Sequence, residues 1–108
     1  EVMETILQAH ADIDAVFCGN DAMALGAYQA LKSAGIEKKV KIFGFDGADE
    51  VVEKIKAGEL VATGMQYPKI MAQTAAEFAD RYFKGERTFP QHLPVAVDLV
   101  TKQTAKHY

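Results

Sequence analysis

Three stretches of this chain share one pattern: an apolar run that ends on a polar residue and leads into a segment of helical spacing. They are Val16-Phe17-Cys18-Gly19-Asn20-Asp21, Ile42-Phe43-Gly44-Phe45-Asp46 and Val61-Ala62-Thr63-Gly64-Met65-Gln66. Each run reads as a buried strand. Strands that alternate with helices normally lie parallel, with helices on both sheet faces, and such open sheets bind ligands outside the carboxyl ends of the strands. Asn20, Asp46 and Gln66 are therefore expected to be neighbours in space. Two amides and a carboxylate form a mixed set of donors and acceptors suited to a polyhydroxylated ligand.

The rest of the chain extends the alternation. Val2, Met3, Ile6 and Leu7 recur at helical spacing over 2–10. Strands are expected at 14–18, 40–45 and 60–65. The helix after the first strand starts near Ala22, with Asn20 or Asp21 as its cap and Gly35 as its stop. A second runs from about Ala48 to Ala57, with Val51, Val52 and Ile55 on its apolar face. Pro68 opens a long amphipathic helix that ends before Gly85. Val95, Val97, Leu99 and Thr101 read as a last strand, and the polar tail from Lys102 as frayed. The order indicates an α/β fold with a mostly parallel sheet.

At 108 residues the chain is one domain or part of one, and 49% hydrophobic content is enough for a core. A helix at 2–10 with no strand before it points to the carboxyl-terminal part of a longer protein. Net charge is −3, and the only basic run, Lys38-Lys39-Val40-Lys41, reads as a solvated loop, so nucleic-acid binding is disfavoured. Cys18 is the sole cysteine and reads as a small core hydrophobe. The histidines lack metal-ligand spacing, no Gly-rich phosphate loop appears, and there is no Gly-x-Ser-x-Gly elbow. No metal, no cofactor and no enzyme activity is expected.

Four segments together resemble the type I periplasmic sugar-binding proteins, in particular the ribose-binding members that serve ABC transporters. They are Phe17 to Ala27, with its Asn20-Asp21-Ala22-Met23-Ala24-Leu25-Gly26-Ala27; the turn Gly44-Phe45-Asp46-Gly47; Ile55-Lys56-Ala57-Gly58-Glu59-Leu60-Val61-Ala62-Thr63-Gly64-Met65-Gln66-Tyr67-Pro68; and Lys84-Gly85-Glu86 with Val97 to Lys102. The resemblance implies two α/β lobes around a cleft that closes on a monosaccharide or related polyol. It implies a periplasmic or otherwise extracytoplasmic protein read by an ABC transporter membrane permease. Residues 1–66 would be part of the carboxyl-terminal lobe, 67–94 a hinge crossing and a helix of the amino-terminal lobe, and 95–108 the final strand and tail. Asn20, Asp46 and Gln66 would be ligand-binding.

Each site residue also has an ordinary structural role. Asn20 is a good helix cap, but Asp21 is available for that, or for bracing a loop. Asp46 is a natural Asp-Gly turn residue, and Gln66 a strand-end amide. Phe43 and Phe45 are expected to pack in the core rather than stack on sugar, Phe78, Tyr82 and Phe83 to be packing residues, and Met23, Met65 and Met71 to fill core gaps. The competing family is the effector domain of lactose-repressor-type regulators, which shares the Asn-Asp and Gly-Phe-Asp motifs. Its usual Pro-rich stretch is replaced here by Lys54 to Thr63. A phosphorelay receiver would need an acidic pair at a strand end and a Lys before a Pro, and Lys69 follows Pro68. Without its native lobe, the helix from Pro68 should seek cover on its own sheet or on a second copy, giving a dimer or a rearranged helix.

Overall fold

Alternating apolar runs and helix caps produce the element order α1 (Val2–Ala9), β1 (Ala15–Phe17), α2 (Asp21–Ser33), β2 (Lys41–Asp46), α3 (Asp49–Lys56), β3 (Ala62–Met65), α4 (Pro68–Phe83) and β4 (Asp98–Thr101), then a 3-10 turn at Ala105–His107. The computed structural model describes residues 1–108. Two compact units result: residues 1–65 with 98–108, and residues 66–97.

The first unit holds a four-stranded sheet in the order β1-β2-β3-β4. β1 pairs parallel with β2 and β2 parallel with β3, while β4 returns antiparallel to β3. Register places Val16, Ile42, Gly44, Thr63 and Val100 on one sheet face. α2 packs against that face at β2, and α3 lies against β3 and β4. Leu31, Ile42, Val51, Ile55 and Val100 are fully buried there. α1 packs on α2 through Met3 and Leu7. α2 is rich in alanine, and Ala24, Ala27 and Ala30 are all buried, so its backbone approaches the sheet closely.

Several expectations are corrected. β1 is not buried: Phe17 is 75% exposed, because β1 pairs on one side only and Phe17 points to the face opposite α2. Phe43 and Phe45 alternate onto that same face and are half-buried, outside the core. The Phe45 ring lies across Gly64, where a Cβ would stand 2.6 Å from it. β4 begins at Asp98, so Val95 and Val97 fall outside it. The tail is ordered: Thr104 Oγ1 accepts from the Thr101 N–H at 2.9 Å, and the 3-10 turn buries Ala105. Met65 is partly buried beside the core, but Met23 is exposed.

The second unit is α4 with the loop that follows it. No residue of α4 is buried. Tyr82, Phe83 and Met71, expected to pack, are exposed, as is Ile70. Phe78 does pack, against Phe89, with ring centroids 5.3 Å apart and Arg81 over both rings. Arg81 also pairs with Glu86, which closes the loop back onto the helix end.

Candidate functional site

β1 and β2 run in the same direction, so the turns that leave them emerge at one edge. Those turns carry Asn20 and Asp46. Asn20 has extended backbone, and its Oδ1 accepts from the Met23 N–H at 2.9 Å, so it is the N-cap of α2. The expectation that Asp21 caps and leaves Asn20 to the ligand is corrected on that point. Capping uses one acceptor of the Asn20 amide; its two N–H donors are not consumed by that bond.

Asp21 instead lies almost wholly buried, at 1% exposure, with three donors around it. Oδ2 accepts from the Gly47 N–H at 2.9 Å and the Ala48 N–H at 2.7 Å, and Oδ1 accepts from Thr63 Oγ1 at 2.7 Å. The bonds join the start of α2 to the turn after β2 and to β3. Ala48 is the N-cap of α3 and has no side chain that can cap it. Asp21 thus satisfies amides at the α3 start from 27 positions away. Asn20 and Asp46 each lie one residue from the Asp21–Gly47 contact.

Asp46 ends β2 with φ 136°, the only non-glycine residue of the chain with positive φ. Such a conformation costs of the order of 1–3 kcal/mol and persists where surrounding contacts hold it, commonly at functional sites. Gly47 follows at φ 87°, where a Cβ would also stand 2.3 Å from the Met65 sulfur. Asp46 itself is exposed, and its register partner is Met65. Gln66 is bonded to Met65 and is the first residue of the second unit, half-buried there.

Sequence reasoning gave Asp21 a cap or bracing role, and bracing is what it does. It missed Thr63. The one signal in the sequence was a hydroxyl within an apolar strand; that Gly44 lies in register beside it emerges only from the fold. Gly44 is required by the same contact: a Cβ there would lie 2.3 Å from Asp21 Oδ1.

Other chemistry is sparse. Cys18 is buried, and burial pushes its thiol pKa up, away from the thiolate form that a nucleophile needs. No group of three or more His, Cys, Asp or Glu side chains is placed to hold a metal ion. An apolar groove of about 410 Å³ opens between α1, β1 and α2, lined by residues such as Val2, Ile6, Phe17 and Met23. None of Asn20, Asp46 and Gln66 lines it. No helix is long and apolar enough to cross a membrane.

Comparison with known proteins adds four findings. Residues 1–87 match the family model described as periplasmic binding protein domain. The ribose import binding protein of Salmonella typhimurium is 43% identical over 102 residues, covering 94% of this chain and 34% of that protein. Among solved structures, an ABC transporter periplasmic solute binding protein from Actinobacillus succinogenes with bound D-allose superimposes at TM-score 0.91, with 34% identity, over 99% of this chain and 38% of that one. A solute binding protein from Bacillus halodurans with bound myo-inositol does so at TM-score 0.89, with 33% identity, over 99% of this chain and 37% of that one. The chain therefore spans about a third of the length of the relatives it matches.

Proposed function

The chain belongs to the periplasmic binding protein domain family, and on that premise we propose that it serves as part of the solute-binding component of a bacterial ABC sugar uptake system. The ligand class is a monosaccharide or related polyol, held in an interlobe cleft outside the cytoplasmic membrane. Residues 1–66 act as part of the carboxyl-terminal lobe, 67–94 as a hinge crossing and a segment of the amino-terminal lobe, and 95–108 as the final strand and tail. Asn20, Asp46 and Gln66 supply one side of the ligand contacts. The ionised carboxylate of Asp46 accepts from vicinal hydroxyls, and the amides donate and accept.

The observation that carries this reading is the backbone of Asp46. A carboxylate at a parallel strand's end, exposed and held at φ 136°, is an expensive place for a mere turn residue. The structural relatives with bound D-allose and myo-inositol support a polyhydroxylated ligand, the class that two amides and a carboxylate suit. Their roles as solute-binding proteins favour transport over the repressor effector reading.

Function is then binding without chemistry. A ligand that touches both lobes only in the closed form shifts the population toward closure, and a membrane permease reads the closed shape. The test is calorimetry on residues 1–108 grafted in place of the matching segment of the Salmonella ribose import binding protein. The chimera should bind D-ribose or another pentose, hexose or polyol, and Asp46→Ala should weaken binding by about 1–3 kcal/mol, the scale of a lost charged hydrogen-bond partner. Equal affinity of the folded chimera and its Asp46→Ala form would refute the assignment.

A further inference from the structure

The buried carboxylate of Asp21 makes no contact that ligand capture requires directly, yet three segments of the site converge on it. Its oxygens take the N–H groups of Gly47 and Ala48, the two residues that follow Asp46, and the hydroxyl of Thr63. Gly44, two positions before Asp46 on the same strand, leaves room for the carboxylate. Asp46 is thus bounded on both sides in sequence by groups fitted to Asp21. It is also the residue whose backbone departs furthest from ordinary L-residue geometry.

We propose that Asp21 is a positioning residue: with Thr63 and Gly44 it clamps the turn after β2 and holds Asp46 at positive φ with its carboxylate presented at the strand ends. Pinning the Gly47 and Ala48 amides fixes the two peptide units after Asp46, and the pairing of β2 with β3 fixes the strand before it. The intervening dihedral is left little freedom to relax. Thr63 keeps the carboxylate from rotating, because it occupies Oδ1 while the amides occupy Oδ2. The clamp acts by hydrogen-bond geometry. An asparagine in place of Asp21 serves nearly as well, giving its oxygen to the two amides and its NH2 to the Thr63 oxygen. A preorganised carboxylate avoids an ordering cost when ligand arrives. The link to affinity rests on the reading of Asp46 as a ligand residue; the clamp itself does not.

Nuclear magnetic resonance on the full chain tests the clamp. In the wild type the Gly47 and Ala48 amides should be protected from hydrogen exchange, and Asp46 should show the small amide-to-Hα coupling that a φ of 136° gives. Asp21→Ala should lose roughly tenfold or more of that protection and shift the coupling toward that of an extended residue. Asp21→Asn should restore both. Thr63→Val, which removes one hydrogen bond and almost no volume, should give partial loss, and it reports on the clamp even where Asp21→Ala fails to fold. Wild-type amides that exchange freely, an unaltered Asp46 coupling in Asp21→Ala, or an Asp21→Asn chain as disturbed as Asp21→Ala would each overturn the proposal. In the grafted protein, Asp21→Ala should weaken D-ribose binding roughly tenfold. If the coupling changes and the affinity does not, the clamp stands and the ligand role of Asp46 falls.

Discussion

Replacing Gly44 by alanine adds one methyl group at the most constrained point of the first unit. The new Cβ would lie 2.3 Å from Asp21 Oδ1 and 3.3 Å from the Ala24 Cβ. Neither neighbour moves cheaply. Asp21 is a short side chain held by three hydrogen bonds, and Ala24 belongs to a helix whose buried face is already seated on the sheet. Forcing α2 away is an overpacking event, typically costing about 1–3 kcal/mol. Swinging the carboxylate aside instead sacrifices charged hydrogen bonds at about 1.5–3 kcal/mol each. The chain takes a mixture of these routes, so a loss of about 2–4 kcal/mol is expected. For a unit of this size that is a fall in Tm of roughly 10–30 °C. Thermal and urea unfolding followed by far-ultraviolet circular dichroism would measure it. A double-mutant cycle assigns the cause: in an Asp21→Ala background the main clash is gone, so the Gly44→Ala penalty should shrink by about 1 kcal/mol or more. A Gly44→Ala chain that melts within about 2 °C of the wild type, or a cycle with no coupling, would refute the reasoning.

Three further outcomes follow from the same structure. Gly47→Ala meets both a positive φ and the Met65 sulfur, so it should destabilise the chain by more than about 1 kcal/mol in urea titration, and a neutral result would contradict the turn geometry. At the end of α4, the hydrogen bond from Arg81 holds the Glu86 carboxyl below its ordinary pKa. The pairing is therefore present at neutral pH and lost only as acid passes below the usual glutamate range; carbon-13 titration of Glu86 should show the lowered midpoint, and Arg81→Ala should return it to normal. The exposed Ile70, Met71, Tyr82 and Phe83 of α4 favour self-association, so light scattering after size exclusion should find a concentration-dependent dimer, and a monomer at every concentration would contradict this.

How far the sequence can be read depends on which contacts set each feature. The strands and helices were legible because their signals are local: apolar runs, Pro68 at a helix start, and glycines after helix ends. The parallel run of β1, β2 and β3 could be anticipated from strand–helix alternation. Burial of β1 could not, because exposure of Phe17 depends on what lies across the sheet and beside the strand. The tail looked frayed because its residues are polar, yet Thr104 turns back onto Thr101, three residues away, and Ala105 is buried where the 3-10 turn packs against α3. Asn20 and Asp46 were legible as polar ends of apolar runs, and both stand at the ends of parallel strands. The division of labour between Asn20 and Asp21 was not, since adjacent residues that are equally good caps are told apart only by what each can reach. Asp21 reaches Gly47, Ala48 and Thr63, far away in sequence, and Thr63 became visible only once β3 was placed in register beside Gly44.

The most direct measurement is a crystal structure of the grafted protein with D-ribose bound. Two sugar hydroxyls are expected within about 2.5–3.0 Å of the Asp46 carboxylate, with the Asn20 and Gln66 amides on neighbouring hydroxyls. A sugar that sits elsewhere, or that leaves Asp46 facing solvent, would contradict this.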